Sequence, residues 1–162
     1  MTFVVLGTWD MPFVRPLREI EQAAAAGLLP EPIIVQSGHT PYRSERLQLV
    51  PFFGADELES MYERSTLVIC QAGVGSIMLG LRKHKKVIAI ARLNRLDEHI
   101  DDHQLEILEL FSQLGAVLAW QGSGDLPEVL LRARSFVPVD YQFTRERISH
   151  TILDYLARSV RL

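Results

Sequence analysis

Three short stretches of this chain carry residue types and spacings from which a binding site could be built. Ala72-Gly73-Val74-Gly75-Ser76 follows an apolar run and opens a segment of helical period. Glycines there let the backbone turn sharply and let a ligand come close to the amides. A helix that starts there points free N–H groups and a partial positive charge outward. That is the chemistry of a phosphate or diphosphate site, and the plainer alternative is a tight strand-to-helix turn. The stretch is no P-loop, because no Gly-Lys-Ser/Thr follows. Nor is it a full dinucleotide fingerprint, since Met78 stands where a third glycine is needed.

The second stretch is Glu98-His99-Ile100-Asp101-Asp102-His103-Gln104. A helix over about 100–114 would put His99 and His103 one turn apart on one face. Such a pair can bind zinc, but the intervening residues do not match the metalloprotease pattern. The plainer alternative is an acidic first turn, with Asp101 and Asp102 favouring the helix dipole. Carboxylates, imidazoles and an amide crowded together also suit a polyhydroxylated ligand. Between the two stretches lie Arg92 and Arg95, which could hold a diphosphate or simply sit in a solvated loop. The third stretch is the turn Ser37-Gly38-His39. No Ser/His/Asp order or Cys/His pair is persuasive, and Cys70, at the end of an apolar run, reads as inert core.

The elements that must position these residues follow from length, composition and periodicity. At 162 residues and 18.4 kDa the chain suits one domain, with 48% apolar and 23% charged residues as in soluble globular proteins. Its charge sum, 17 − 20 = −3, excludes a global positive field for nucleic acid. A single Cys70 excludes a disulfide framework and fits a reducing, cytoplasmic compartment. No run approaches the roughly 18 apolar residues of a membrane span, and the apolar run Phe3–Leu6 ends at once in Gly7 and Thr8, so no signal peptide or transmembrane segment is expected.

Apolar, β-branched runs predict strands at Phe3–Leu6, Pro32–Gln36, Leu47–Val50, Leu67–Cys70, Val87–Ile90 and Ala116–Trp120. Segments of helical period predict helices over 12–26, 55–64, from Gly73 to Lys83, 100–114, 125–134 and 144–159. This alternation argues for one doubly wound α/β domain with a parallel sheet covered on both faces. In such a sheet ligands bind outside the carboxyl ends of the strands, which is where all three stretches fall.

Together these residues resemble a known family. Leu6-Gly7-Thr8-Trp9-Asp10-Met11-Pro12-Phe13, Gln36-Ser37-Gly38-His39-Thr40-Pro41-Tyr42, Cys70-Gln71-Ala72-Gly73-Val74-Gly75-Ser76-Ile77 and Glu98-His99-Ile100-Asp101-Asp102-His103-Gln104 are similar, in order and spacing, to segments of the glycosyltransferase family 28 C-terminal domain. The likeness covers about residues 2–120. Within the family the chain resembles stand-alone subunits of the PssE type, used in exopolysaccharide synthesis, and the cytosolic subunit of the two-part N-acetylglucosaminyltransferase of dolichol-linked glycan assembly. The resemblance implies a Rossmann-like domain equivalent to the C-terminal half of a GT-B enzyme.

It implies further that Gly73, Gly75 and Ser76 face the diphosphate of a UDP-sugar, that His103 and Gln104 face the donor sugar, and that Gly7, Thr8 and Gly38 line the cleft rim. The residues' own chemistry adds Val74 and Arg92 as candidates at the diphosphate and Gln71, Glu98 and His99 as candidates at the donor sugar and nucleotide. Two departures stand out: many relatives carry His where this chain has Gln71, and Glu, contacting the ribose, where it has Leu79. The expected reaction is an inverting, metal-independent transfer from a UDP-sugar to a lipid-diphosphate-linked acceptor, with no cofactor. The acceptor would be held by a membrane-anchored, PssD-like partner subunit that recruits this chain to the inner face of the cytoplasmic membrane. No catalytic base is assigned; His39 and Asp10 are the rim candidates. The competing functions are a non-catalytic nucleotide-sugar-binding or regulatory subunit, and a zinc hydrolase built on His99 and His103. The stripe Ile148, Ile152, Tyr155, Leu156 and Ser159 of the last helix would pack on the sheet or dock the partner.

Overall fold

Six short strands carry mostly apolar side chains on both faces, so the sheet must be covered on both sides. In a computed structural model, which describes the backbone of residues 1–159 and the side chains of residues 1–151, that is the arrangement found. The strands are β1 (Thr2–Val5), β2 (Ile33–Gln36), β3 (Leu47–Val50), β4 (Leu67–Gln71), β5 (Lys86–Ile90) and β6 (Leu118–Trp120). All pair in parallel, in the order β3-β2-β1-β4-β5-β6. The helices are α1 (Val14–Ala25), α2 (Ala55–Arg64), α3 (Val74–Arg82), α4 (His103–Gln113), α5 (Leu126–Ser135) and α6 (Tyr141–Ser159). No helix among the described residues is long and apolar enough to cross a membrane.

Alternation along each strand sends side chains to opposite faces, and each face has its own core. Val4, Leu6, Val35, Ile69, Ile88 and Ile90 pack under α1 and α5, with Leu17, Ile20 and Trp120. Phe3, Val5, Val68, Cys70, Val87 and Ala89 pack under α2, α3 and α4, with Tyr62, Ile77 and Phe111. Each such fully buried aliphatic side chain contributes about 1.5–3 kcal/mol. Thr144 and Ile148 of α6 are buried too, so the first half of this helix packs on its own domain. Ile152, Tyr155, Leu156 and Ser159 of the expected stripe have side chains outside the described residues.

One predicted boundary and one additional turn differ in ways that matter for the site. The helix expected from about residue 100 begins at His103, because Asp101 accepts the backbone N–H of His103 at 3.2 Å and turns residues 99–102 into an irregular lead-in. Between β5 and this lead-in, Asn94–Leu96 form an unpredicted 3-10 turn.

The tight fit of α3 on the sheet depends on Gly80, a residue without a functional motif around it. A Cβ there would lie 2.6 Å from Cγ2 of Val87 and 3.5 Å from Tyr62. Gly80→Ala is therefore expected to lower stability by about 1–3 kcal/mol, read as a fall in Tm. Cys70 is fully buried and burial pushes its thiol up to about 12. The native protein should thus resist alkylation at neutral pH and react only at the rate of global opening.

Candidate functional site

The strand order reverses between β1 and β4, since the chain winds outward to β3 on one side and β6 on the other. At such a switch point neighbouring loops diverge and leave a crevice beyond the carboxyl ends of the strands. The loop after β1 carries Gly7 and Thr8; the loop after β4 carries Ala72 and Gly73, from which α3 begins. Both flank that crevice.

The loops around it are held by backbone approaches that only glycine permits. Gly7 has φ +79°, and a Cβ on it would overlap the Gln71 amide at 1.9 Å. Gly38 has φ +57°, and its Cβ would meet Gly7 O at 2.5 Å. The loops after β2, β1 and β4 are thus stacked directly on each other. Phe13 N–H donates to Thr40 Oγ1 at 3.0 Å and ties the loop after β2 to the start of α1. His39 is exposed and meets the Phe52 ring edge-on at 5.1 Å; Thr8 and Asp10 are exposed on the same rim.

Arg92, expected at the diphosphate, is instead interior. It is 1% exposed, and its guanidinium lies over the Phe13 ring at 4.6 Å. It donates to Gln71 Oε1 (2.7 Å), Met11 O (2.7 Å), Glu98 O (3.0 Å) and Leu6 O (2.8 Å). Burial pulls its pKa down to about 10, with Glu98 and Asp10 opposing, so it stays charged at neutral pH. With its donors committed to protein acceptors, it cannot also clamp an anion. The sequence showed a polar loop; it could not show which way the arginine turned.

The same correction applies to Glu98. Its carboxylate is 5% exposed and accepts from Arg15 Nε at 3.0 Å and Nη2 at 2.8 Å, and from Leu93 N–H at 3.1 Å. Arg15 also donates to Ala91 O and Gln121 O. Sequence reasoning missed Arg15, which lies 83 residues from its partner in a helix first turn that looks like any solvated face. Gln71 and Gln104 are positioning groups as well: the first accepts from Arg92 Nε, and the buried second accepts from Arg92 N–H at 3.1 Å.

What remains open to a ligand is the start of α3. Its N-cap is Gly73, so no side chain caps it, and the first backbone acceptor bond inside the helix is Ile77 N–H to Gly73 O. The amides of Val74, Gly75 and Ser76 are left facing the rim, where Val74 and Gly75 are exposed. Tyr62 fixes this turn by donating to Ser76 O at 3.1 Å. Around Gly75 a Cβ would meet nothing within 4 Å, unlike Gly7, Gly38 and Gly80. Beside it runs a groove of about 280 Å³ lined by Gly75, Met78, Leu79, Arg82 and Tyr141. A larger concavity, about 630 Å³, lies instead by Arg15, Arg18, Glu19 and the loop 96–98. Arg15 and Glu98 neutralise each other on its wall, whereas the α3 turn offers unpaired donors; the chemistry favours the smaller groove.

On the other side of the rim His99 is buried and stacks on Trp9, ring centroids 4.7 Å apart at 24°. His103 is exposed and its ring lies 4.8 Å from that of His99. The pair meets through the turn 99–102, not along a helix face as the spacing suggested. The His103 imidazole, hydrogen-bonded to Asp101, holds that carboxyl below the usual carboxylate range. Trp9, which no spacing argument singled out, follows Gly7-Thr8 directly and forms the wall of this corner.

The chain is a Rossmann-like α/β domain, a doubly wound parallel sheet with an uncapped, glycine-opened helix at its switch point. The chain matches the glycosyltransferase family 28 C-terminal domain over residues 3–154, and it belongs to that family. Among solved structures it is similar to MurG of Acinetobacter baumannii, at 19% identity and TM-score 0.51, covering 83% of this chain and 40% of that one. The glycosyltransferase SnogD from Streptomyces nogalater matches at 15% identity and TM-score 0.49, over 91% of this chain and 43% of that one. The solution structure of ALG13 matches at 19% identity and TM-score 0.48, over 91% and 93%. The chain therefore spans about two-fifths of the MurG and SnogD chains. Among curated proteins none matches it.

The buried guanidinium yields a direct test of this geometry. Arg92→Met leaves Leu6 O, Met11 O and Glu98 O without their donor, each costing about 1–3 kcal/mol where buried. We expect a loss of about 3–5 kcal/mol in denaturant unfolding, toward the lower end of the sum over these three carbonyls. Arg92→Lys should recover only a small part, because an ammonium cannot reproduce the planar fork.

Proposed function

We propose that this chain is the donor-binding part of an inverting glycosyltransferase that takes its sugar from a UDP-sugar. The observation that carries the reading is the first turn of α3. Three amides and the positive end of a helix meet empty space at Gly75, beside the switch point. A diphosphate placed there would accept from the amides of Val74, Gly75 and Ser76. The nucleoside would extend along the groove of Met78, Leu79 and Tyr141, and the sugar would lie toward Thr8, His103 and Gln104.

In this reading the leaving UDP gains negative charge as the glycosidic bond breaks, and preorganised amides stabilise that charge without reorganising. The helix end serves where a divalent cation would otherwise neutralise the diphosphate. Arg92 contributes by fixing Gln71 and the loop after β1, not by touching the ligand. Family membership supports a glycosyltransferase role. We place the acceptor half on another chain. That half would be a membrane-anchored, PssD-like subunit holding a lipid-diphosphate-linked acceptor, as in exopolysaccharide assembly, and it would recruit this domain to the membrane surface. The base that deprotonates the acceptor would come from the partner or from His39 or Asp10, the exposed groups on this rim.

Gly75→Ala separates ligand binding from folding. The added methyl meets no protein atom, and alanine is the better helix former by about 0.5–1 kcal/mol. The variant should unfold at the same or a higher temperature while its UDP affinity, read by calorimetry, falls at least about tenfold, which is about 1.4 kcal/mol. Undiminished UDP affinity would overturn the placement of the diphosphate.

A further inference from the structure

The corner opposite α3 holds a group of ligand atoms whose hydrogen-bond demands conflict. His99, Asp101 and His103 each offer one ligating atom, and the three atoms lie within 4.8 Å of one another. Nδ1 of His103 is hydrogen-bonded to Asp101 Oδ1, and Nδ1 of His99 lies 2.9 Å from the same oxygen with no hydrogen bond between them. The same oxygen accepts the backbone N–H of His103 at 3.2 Å. Meanwhile Asp101 N–H points at Nδ1 of His99 from 3.3 Å. An Nδ1 that accepts this N–H has no proton to give to Oδ1, and one that gives its proton cannot accept. With Nδ1 accepting, its lone pair and the carboxylate oxygen face each other across 2.9 Å with no proton between them.

A cation removes the conflict, because the Nδ1 lone pairs and the carboxylate oxygen can all turn toward one positive centre. The geometry points to a site here for a borderline divalent cation of the zinc class, bound by His99 Nδ1, Asp101 Oδ1 and His103 Nδ1. Imidazole and carboxylate together suit zinc, cobalt, nickel or copper and not magnesium or calcium. Tetrahedral ligands about 2.05 Å from zinc lie about 3.3 Å apart, so both imidazoles must draw back from Asp101, that of His99 by a few tenths of an ångström and that of the exposed His103 by more. The lead-in 99–102 is irregular backbone and His103 and Asp101 are exposed, so that adjustment breaks no regular structure. His99 is held by the Trp9 stack and by Asn94 Nδ2 donating to its carbonyl at 3.1 Å. The N-terminus of α4 disfavours a cation, and Asp101 and Asp102 offset it. Three protein ligands leave a coordination position open to water.

The site stands on these contacts alone. Where the donor reading also holds, a bound cation takes His103 away from the sugar, so zinc would weaken UDP-sugar binding while leaving UDP binding in place. The test is a calorimetric titration of the full chain with zinc chloride. A parallel titration with cobalt or copper is read by fluorescence, since a metal on His99 quenches the stacked Trp9. One zinc per chain is expected, with proton release. His103→Gln and Asp101→Asn, both exposed positions, should each weaken it at least about tenfold, while His84→Gln with His150→Gln leaves it unchanged. Absence of binding, or binding that survives His103→Gln and Asp101→Asn, overturns the site. Zinc binding that leaves UDP-sugar affinity intact keeps the metal site and counts against the sugar placement alone.

Discussion

The carboxyl rim of this domain depends on one buried charge. Arg92 leaves β5 and turns inward, joining the end of β1 through Leu6 O, the loop before α1 through Met11 O and Phe13, the end of β4 through Gln71, and its own loop through Glu98 O. A guanidinium with five fixed donors can do this where a flexible ammonium cannot. Burying it is costly in itself, and the cost is tolerated because backbone carbonyls and an amide oxygen replace water around it. Three loops, those after β1, β4 and β5, are thereby fixed relative to the first turn of α3.

This constraint also sorts the glycines. Gly7 and Gly38 are required by the protein, since any side chain would strike Gln71 or the neighbouring backbone. Gly80 is required by the packing of α3 on Val87. Gly75 is required by nothing inside the chain. A residue that gives up helix stability for no internal contact is best explained by something that must come close from outside, and the helix end supplies the charge such a visitor would need.

Much of the architecture was legible in the sequence. Near-continuous apolar runs such as Leu67–Cys70, alternating with helical segments, point to a covered parallel sheet with the Gly-rich turn at its carboxyl ends, whereas the strand order, and with it the switch point, is set by long-range pairing that no local run reports. The start of α4 was misplaced because a local hydrogen bond from His103 N–H to Asp101 outweighs a periodicity that extends upstream. The direction of side chains was not legible: Arg92 and Glu98 look, in sequence, like the other charged residues of a polar loop. Their inward turn depends on Phe13, Met11 and Arg15, which are about 80 residues away, and no local pattern reports contacts of that range. Trp9 was hidden for the same reason, because its role is set by His99.

The central claim is that a diphosphate binds the first turn of α3 at the β1–β4 switch point. Amide NMR spectra of the nitrogen-labelled chain, recorded during a titration with UDP, test it most directly. The account predicts that the amides of Val74, Gly75 and Ser76 shift most, with smaller shifts at Thr8 and along Met78 and Leu79. Saturable shifts confined to the cleft of Arg15, Arg18 and Leu96, with the α3 amides unmoved, would contradict it.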